Sequence, residues 1–136
     1  MNFRKSMLLS GVLFALIAVV AGAFGSHGLK SIITAAQLDI YKTANTYQFY
    51  HAFAIMFVSI LNQDKVNKLL LWSFRFFVIG IILFSGSLYL LSVREVLGIS
   101  SSIGAITPFG GIFFITGWIL LFIFGFTKMK FKADKS

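Results

Sequence analysis

Apolar residues gather along this chain in four long runs, and polar residues fall mainly between them. The runs cover approximately residues 7–24, 44–61, 69–91 and 107–126. A helix needs about 20 apolar residues to cross a hydrocarbon core about 30 Å thick, so each run is long enough to span a bilayer. The pattern predicts an all-α membrane protein, a four-helix transmembrane bundle within one integral membrane domain over residues 1–136. The first run also resembles a secretory signal peptide, with Arg4 and Lys5 before it and Ala21-Gly22-Ala23 as an A-x-A site. It exceeds the usual apolar length of about 7–15 residues, so a retained helix is expected.

The links differ. NQDKVNK between the second and third runs is short and polar, which suits an antiparallel pair. GSHGLKSIITAAQLDIYKT is longer and contains Thr34-Ala35-Ala36-Gln37, a capping-box pattern. It predicts a short extramembrane or interfacial helix between the first and second spans. If that helix continues through Leu61 it is roughly 42 Å long and stands proud of the hydrocarbon core, unless it breaks near Thr43. The last link, SVREVLGISSSIGAI, is Ser- and Gly-rich and is expected to lie against the bundle.

Composition supports lipid as the solvent. The chain is 58% hydrophobic and 12% charged, against about 45–50% and 25% for a soluble domain, which leaves too little polar surface for a wet exterior. Cysteine is absent, so disulfides, thiolate metal sites and a cysteine nucleophile are excluded. The net charge of +8 sits at the ends of apolar runs, as membrane anchors do, and no nucleic-acid partner is expected. Arg4, Lys5, Lys65, Lys68, Lys128, Lys130, Lys132 and Lys135 gather on one side, against Lys30, Lys42 and Arg94 on the other. The positive-inside rule then puts both termini in the cytoplasm of a bacterial plasma membrane. The basic tail KMKFKADKS reads as a stop-transfer anchor touching anionic lipid.

The second run carries Asn45, Gln48 and His51 at near-helical spacing. Ala44, Gln48, His51 and Ile55 fall on one helical stripe with Asn45 beside it. Counted from the outer end, His51 lies roughly 10 Å deep. Ser85, Gly86, Ser87 and Tyr89 in the third run and Thr107-Pro108 and Gly110-Gly111 in the fourth reach a similar level, and His27 caps the first. Polar groups in lipid need partners inside the bundle, which predicts an outward-leaning pocket of His27, Gln48, His51, Ser85, Ser87, Tyr89 and Thr107. The plainer alternative is glue between helices, worth about 0.6 kcal/mol per bond.

Arg75 is expected to snorkel to the cytoplasmic interface beside Trp72, and Trp118 to pack on Gly117 or lipid. Gly22, Gly25, Gly86, Gly110, Gly111 and Gly117 are candidates for close helix packing, within the chain or between subunits. The carboxylates Asp39, Asp64, Glu95 and Asp134 lie outside the runs, which excludes paired-carboxylate chemistry in the membrane. Walker A, G-x-G-x-x-G and H-E-x-x-H motifs are missing, and no metal, cofactor or catalytic constellation is expected.

AGAFGSHGL, TYQFYHAFAI, LFSGSLYLL and ITPFGGIFFITGW, in that order, resemble the YgdD-like family. These are small four-helix inner-membrane proteins classed as domain of unknown function four-two-three, with relatives among small eukaryotic transmembrane proteins. The match spans about Gly22 to Trp118, with Ser26 where the family's G-A-H-G version has Ala. The resemblance implies a retained first helix and four spans, and no assigned activity. Its motif positions here include His27, Tyr47, Gln48, His51, Ser85, Gly86, Ser87, Tyr89, Pro108, Gly110, Gly111 and Trp118.

Together these readings lead to a non-enzymatic membrane protein whose pocket binds or moves a lipid-like or small amphipathic molecule. The alternative is an accessory or assembly subunit of a larger membrane complex, with the polar stripe as glue. A membrane enzyme using His51 as base ranks last, because no nucleophile or acid partner is evident. Membrane lipids are the expected partners, together with further copies of the chain or a larger complex.

Overall fold

The computed structural model describes residues 3–62 and 66–128. Lys65 and the basic tail that bears Lys130, Lys132 and Lys135 lie outside the described residues, as do Asp64 and Asp134. Among the described residues all regular structure is helical.

The first apolar run forms α1 (Phe3–Phe24), continued by a π-helical turn at Gly25–Leu29. The chain then turns and starts α2 (Ala35–Leu61) at a complete capping box. Gln37 N donates to Thr34 Oγ1 at 3.2 Å, and Thr34 N donates to Gln37 Oε1 at 2.9 Å, so two orphan N–H groups are satisfied. The short helix expected between the first two spans is not a separate element: it is the first part of α2, which runs unbroken past Thr43. No Gly or Pro interrupts Ala35–Thr43, and Gln37 and Tyr41 are buried, which anchors the extension. Thr43 itself is accommodated by donating Oγ1 back to Asp39 O at 2.9 Å.

Asn62 ends α2, and its Oδ1 accepts from Asn67 N at 3.0 Å, bridging the short link. Asn67 in turn caps α3 (Lys68–Gly80) by accepting from Leu69 N at 2.9 Å. A π-helical stretch, Ile81–Ser85, joins α3 to α4 (Gly86–Ser92) in one continuous rod. The third link holds the single turn α5 (Arg94–Leu97), stopped by Gly98 at φ 66°, a left-handed conformation that glycine adopts without steric cost. A 3₁₀ helix at Ser101–Ile106 follows and packs on α4, where Ile103 and Ile106 share an apolar groove with Tyr89 and Leu90. The final helix is α6 (Thr107–Lys128).

Three of these rods are long and apolar enough to cross a membrane: Phe3–Leu29, Lys68–Ser92 and Ser101–Lys128. At 27 residues α2 equals them in length, but Asn45, Gln48 and His51 make it less apolar. It is also the helix with the most buried positions, since it lies between α1 on one side and the α3–α4 rod on the other. A helix enclosed by protein can carry polar side chains that a lipid-facing one cannot. Its exposed stripe (Tyr50, Phe53, Phe57, Ile60) is aromatic and aliphatic. On α6, Phe122 and Phe126 are 73% and 83% exposed, an arrangement water would penalise and lipid would not.

Two antiparallel seams set the register. Along the first, α2 side chains donate to α1 carbonyls in step: Tyr41 Oη to Ala21 O (2.8 Å), Asn45 Nδ2 to Ala18 O (2.7 Å), Gln48 Nε2 to Phe14 O (2.8 Å) and Ser59 Oγ to Arg4 O (3.0 Å). A helical carbonyl keeps a second lone pair after accepting from its own helix, so these bonds disrupt nothing. Along the second, rings of one helix sit on glycines of the other. Phe77 covers Gly117, Phe114 covers Gly80, and Gly110 lies on the backbone of Phe84.

Candidate functional site

His51 is 4% exposed and points not toward α1 but toward α6. Its Nδ1 is 2.7 Å from Tyr47 O, which can only accept, so Nδ1 carries the proton. Nε2 is then free to accept, and Trp118 Nε1 donates to it at 3.2 Å. The imidazole stacks on Phe114, centroids 3.4 Å apart and planes 8° apart. Both ring nitrogens are therefore committed inside the protein, and the neutral ring is clamped in one tautomer. In this arrangement His51 offers no free nitrogen to a substrate proton or a metal. Among the described residues no group of three or more His, Asp or Glu could hold a metal ion.

Above this clamp runs a groove of about 510 Å³ between α2, the π-helical stretch and α6. Tyr47, Tyr50 and His51 line it from α2, Phe84 from the π-helical stretch, and Gly111, Phe114, Ile115 and Trp118 from α6. Tyr50, Ile115 and Trp118 are 60%, 62% and 47% exposed, so the groove opens sideways onto the apolar outer surface. The close backbone seams join α1 to α2 and α3 to α6; α2 and α6 meet instead through side chains, which leaves the groove between them.

The residues expected to share one pocket are dispersed. Gln48 is buried, but it serves the α1 seam through Phe14 O. Tyr89 accepts from Asn45 Nδ2 at 3.1 Å and meets Tyr41 edge-on, ring centroids 4.9 Å apart, between α2 and α4. Ser87 and Thr107 bond to each other at 2.7 Å and tie α4 to α6. Ser85 is buried, and its Oγ has no hydrogen-bond partner. His27 is exposed in the π-helical turn. Only His51 lines the groove.

The glycines divide similarly. Gly22 lies against Asn45, Gly25 against Tyr41, Gly110 against Phe84 and Gly117 against Phe77, whereas Gly86 and Gly111 have nothing closer than 4.0 and 3.9 Å to an added Cβ. Arg75 is stacked over the Trp72 ring at 4.8 Å, which holds its charge beside an aromatic anchor.

Sequence spacing missed Trp118 as the partner of His51, and Tyr47, Tyr50 and Phe114 as groove walls. Trp118 within an apolar run carried a hint: a buried indole N–H needs an acceptor, and His51 is the only imidazole within an apolar run.

The family model described as "Protein of unknown function (DUF423)" matches residues 21–111. A UPF0382 membrane protein of Staphylococcus saprophyticus is 40% identical over 120 residues, covering 88% of this chain and 95% of that protein. The UPF0382 membrane protein YwdK of Bacillus subtilis is 40% identical over 121 residues, covering 88% and 94%. A third, from a bovine strain of Staphylococcus aureus, is 39% identical over 122 residues, covering 88% and 93%. No solved structure matches the chain.

Proposed function

The chain belongs to the DUF423 family of membrane proteins, which carries no assigned activity, and from that premise we propose that it is a non-enzymatic binder of an amphipathic, lipid-like molecule. The ligand enters the groove between α2 and α6 laterally, from the bilayer. The observation that carries this reading is the groove itself: about 510 Å³, within the usual range for ligand pockets, aromatic-walled and open toward lipid. The clamped His51–Trp118 pair serves as its rigid floor rather than as a base.

The setting proposed is a four-span protein of the bacterial plasma membrane. Supporting α2 as the fourth span are its 27 residues, the internal bonds of Asn45, Gln48 and His51, and its lipid-compatible outer stripe. Arg4, Lys5, Lys68 and Lys128 all stand at one end of the bundle, which supports cytoplasmic termini; on that proposed orientation the groove lies in the outer half.

Native mass spectrometry of the gently extracted protein tests the reading. Wild type should carry a small amphipathic adduct, and Gly111→Leu, which fills the groove, should lose at least about tenfold of its occupancy. Gln48→Leu, on the opposite seam, should keep it. An adduct held equally by all three proteins, or none in wild type, would overturn the proposal. A stoichiometric protein partner in place of an adduct would favour an accessory subunit.

A further inference from the structure

Granted that the groove between α2 and α6 is a ligand site, we infer that its ligand is a neutral, planar, carbonyl-bearing ring on a long apolar tail, the chemistry of a membrane quinone. Three features of the groove select this class over a phospholipid.

Charge comes first. None of the residues lining the groove is Lys, Arg, Asp or Glu. A phosphate drawn into it would leave its counter-ions and headgroup water without any replacement cation, which is costly in a low-dielectric site. A neutral head incurs no such cost.

Shape comes second. Tyr47, His51 and Phe114 lie nearly parallel, with His51 and Phe114 8° apart and Tyr47 tilted from them by 20° and 28°. His51 and Phe114 stack on each other and are each 4% exposed, so the ring face of this set that the groove exposes is that of Tyr47, at 40%. A planar conjugated ring stacks on such a surface in offset geometry, whereas a branched glycerol backbone does not. The volume exceeds what one ring fills, and the open side at Ile115 lets the tail run out into lipid.

Hydrogen-bonding capacity comes third. Tyr47 and Tyr50 line the groove with ring centroids 6.2 Å apart, and neither hydroxyl has a partner among the described residues. An O–H at membrane depth needs an acceptor, and among the groove's side chains the His51 Nε2 is already taken by Trp118. Two neighbouring phenolic donors suit a ligand that presents carbonyl acceptors. A phospholipid's two ester carbonyls come tied to a phosphate, which the uncharged groove disfavours.

The test uses the full-length chain in lipid nanodiscs on a Trp72→Phe background, which leaves Trp118 as the only tryptophan. A short-tailed naphthoquinone is titrated in and Trp118 fluorescence is read against the quinone-to-lipid ratio. Quenching should saturate in phosphatidylcholine discs and keep its midpoint when phosphatidylglycerol is included. Tyr47→Phe with Tyr50→Phe, which keeps both rings, should weaken the midpoint about tenfold, and Gly111→Leu should leave only the linear quenching of free diffusion. An added Cβ at Gly111 meets the Phe84 ring only at 3.9 Å, so that variant should fold; thermal unfolding checks it. Linear, unsaturated quenching in the wild type would overturn the quinone assignment, as would a midpoint shifted by phosphatidylglycerol. If quinone fails while the co-purifying adduct still disappears in Gly111→Leu, the groove stands with a different ligand. If both fail, the groove reading falls with it.

Discussion

Between α1 and α2 a row of four side chains donates to main-chain carbonyls, whereas between the α3–α4 rod and α6 the bonds of Ser73 to Gly117 O and of Ser87 to Thr107 accompany a row of rings and glycines packed against each other. In water either pair would be driven together by apolar burial. Lipid tails are as apolar as the helices, so that drive is missing here and specificity must come from directional bonds or from shape. The first seam uses direction: Tyr41, Asn45, Gln48 and Ser59 each find a carbonyl only in one register. The second adds shape to its two bonds: Phe77, Gly80 and Phe84 meet Gly117, Phe114 and Gly110 as alternating knobs and recesses. A bonded seam tolerates loss of single contacts; a steric seam does not tolerate gain of an atom.

The comparison can be broken most sharply at Gly110. A Cβ there would collide with the Phe84 backbone, which cannot swing aside as a side chain can. Gly110→Leu should destabilise by about 3 kcal/mol or more, at the upper end of overpacking costs. Unfolding in graded sodium dodecyl sulfate reads the effect, and an unchanged midpoint would mean the steric seam is not what holds α6.

A smaller effect is expected on the bonded seam. Asn45→Ala together with Gln48→Leu removes three interhelical bonds, to Ala18 O, Tyr89 Oη and Phe14 O, and should cost about 1.8 kcal/mol in the same titration, at about 0.6 kcal/mol per bond. Quinone or adduct binding should be untouched, because Gln48 faces α1. Lost binding with intact stability would instead return Gln48 to the ligand site.

The smallest effect sharpens the contrast. Gly125 has nothing within 4 Å of an added Cβ, so Gly125→Ala should shift stability by no more than about 0.5 kcal/mol. A large loss there would show that glycines on α6 matter for something other than ring packing.

Much of the architecture was legible in one dimension. The helices occupy the four apolar runs, the capping box at Thr34 starts α2, and Arg75 stacks on Trp72, because each depends on residues near one another in sequence. The third link lies against the bundle through Ile103 and Ile106, in keeping with its low polarity. The candidate site was legible only at His51. Gln48 and His51, three residues apart, share a broad stripe on a helix considered alone, yet their directions differ by about 60°. With α1 on one side of α2 and α6 reached on the other, that offset sends one side chain to Phe14 O and the other to Trp118.

The sequence by itself determined the solvent, the helices and their approximate ends, since composition and local capping act through neighbouring residues. Tertiary structure alone decided which helix each polar group serves, that Trp118 closes on His51, and that a groove remains where α2 and α6 are held apart by their side chains. Those outcomes depend on the rotation of each helix about its own axis, which is set only when partner helices compete for its faces.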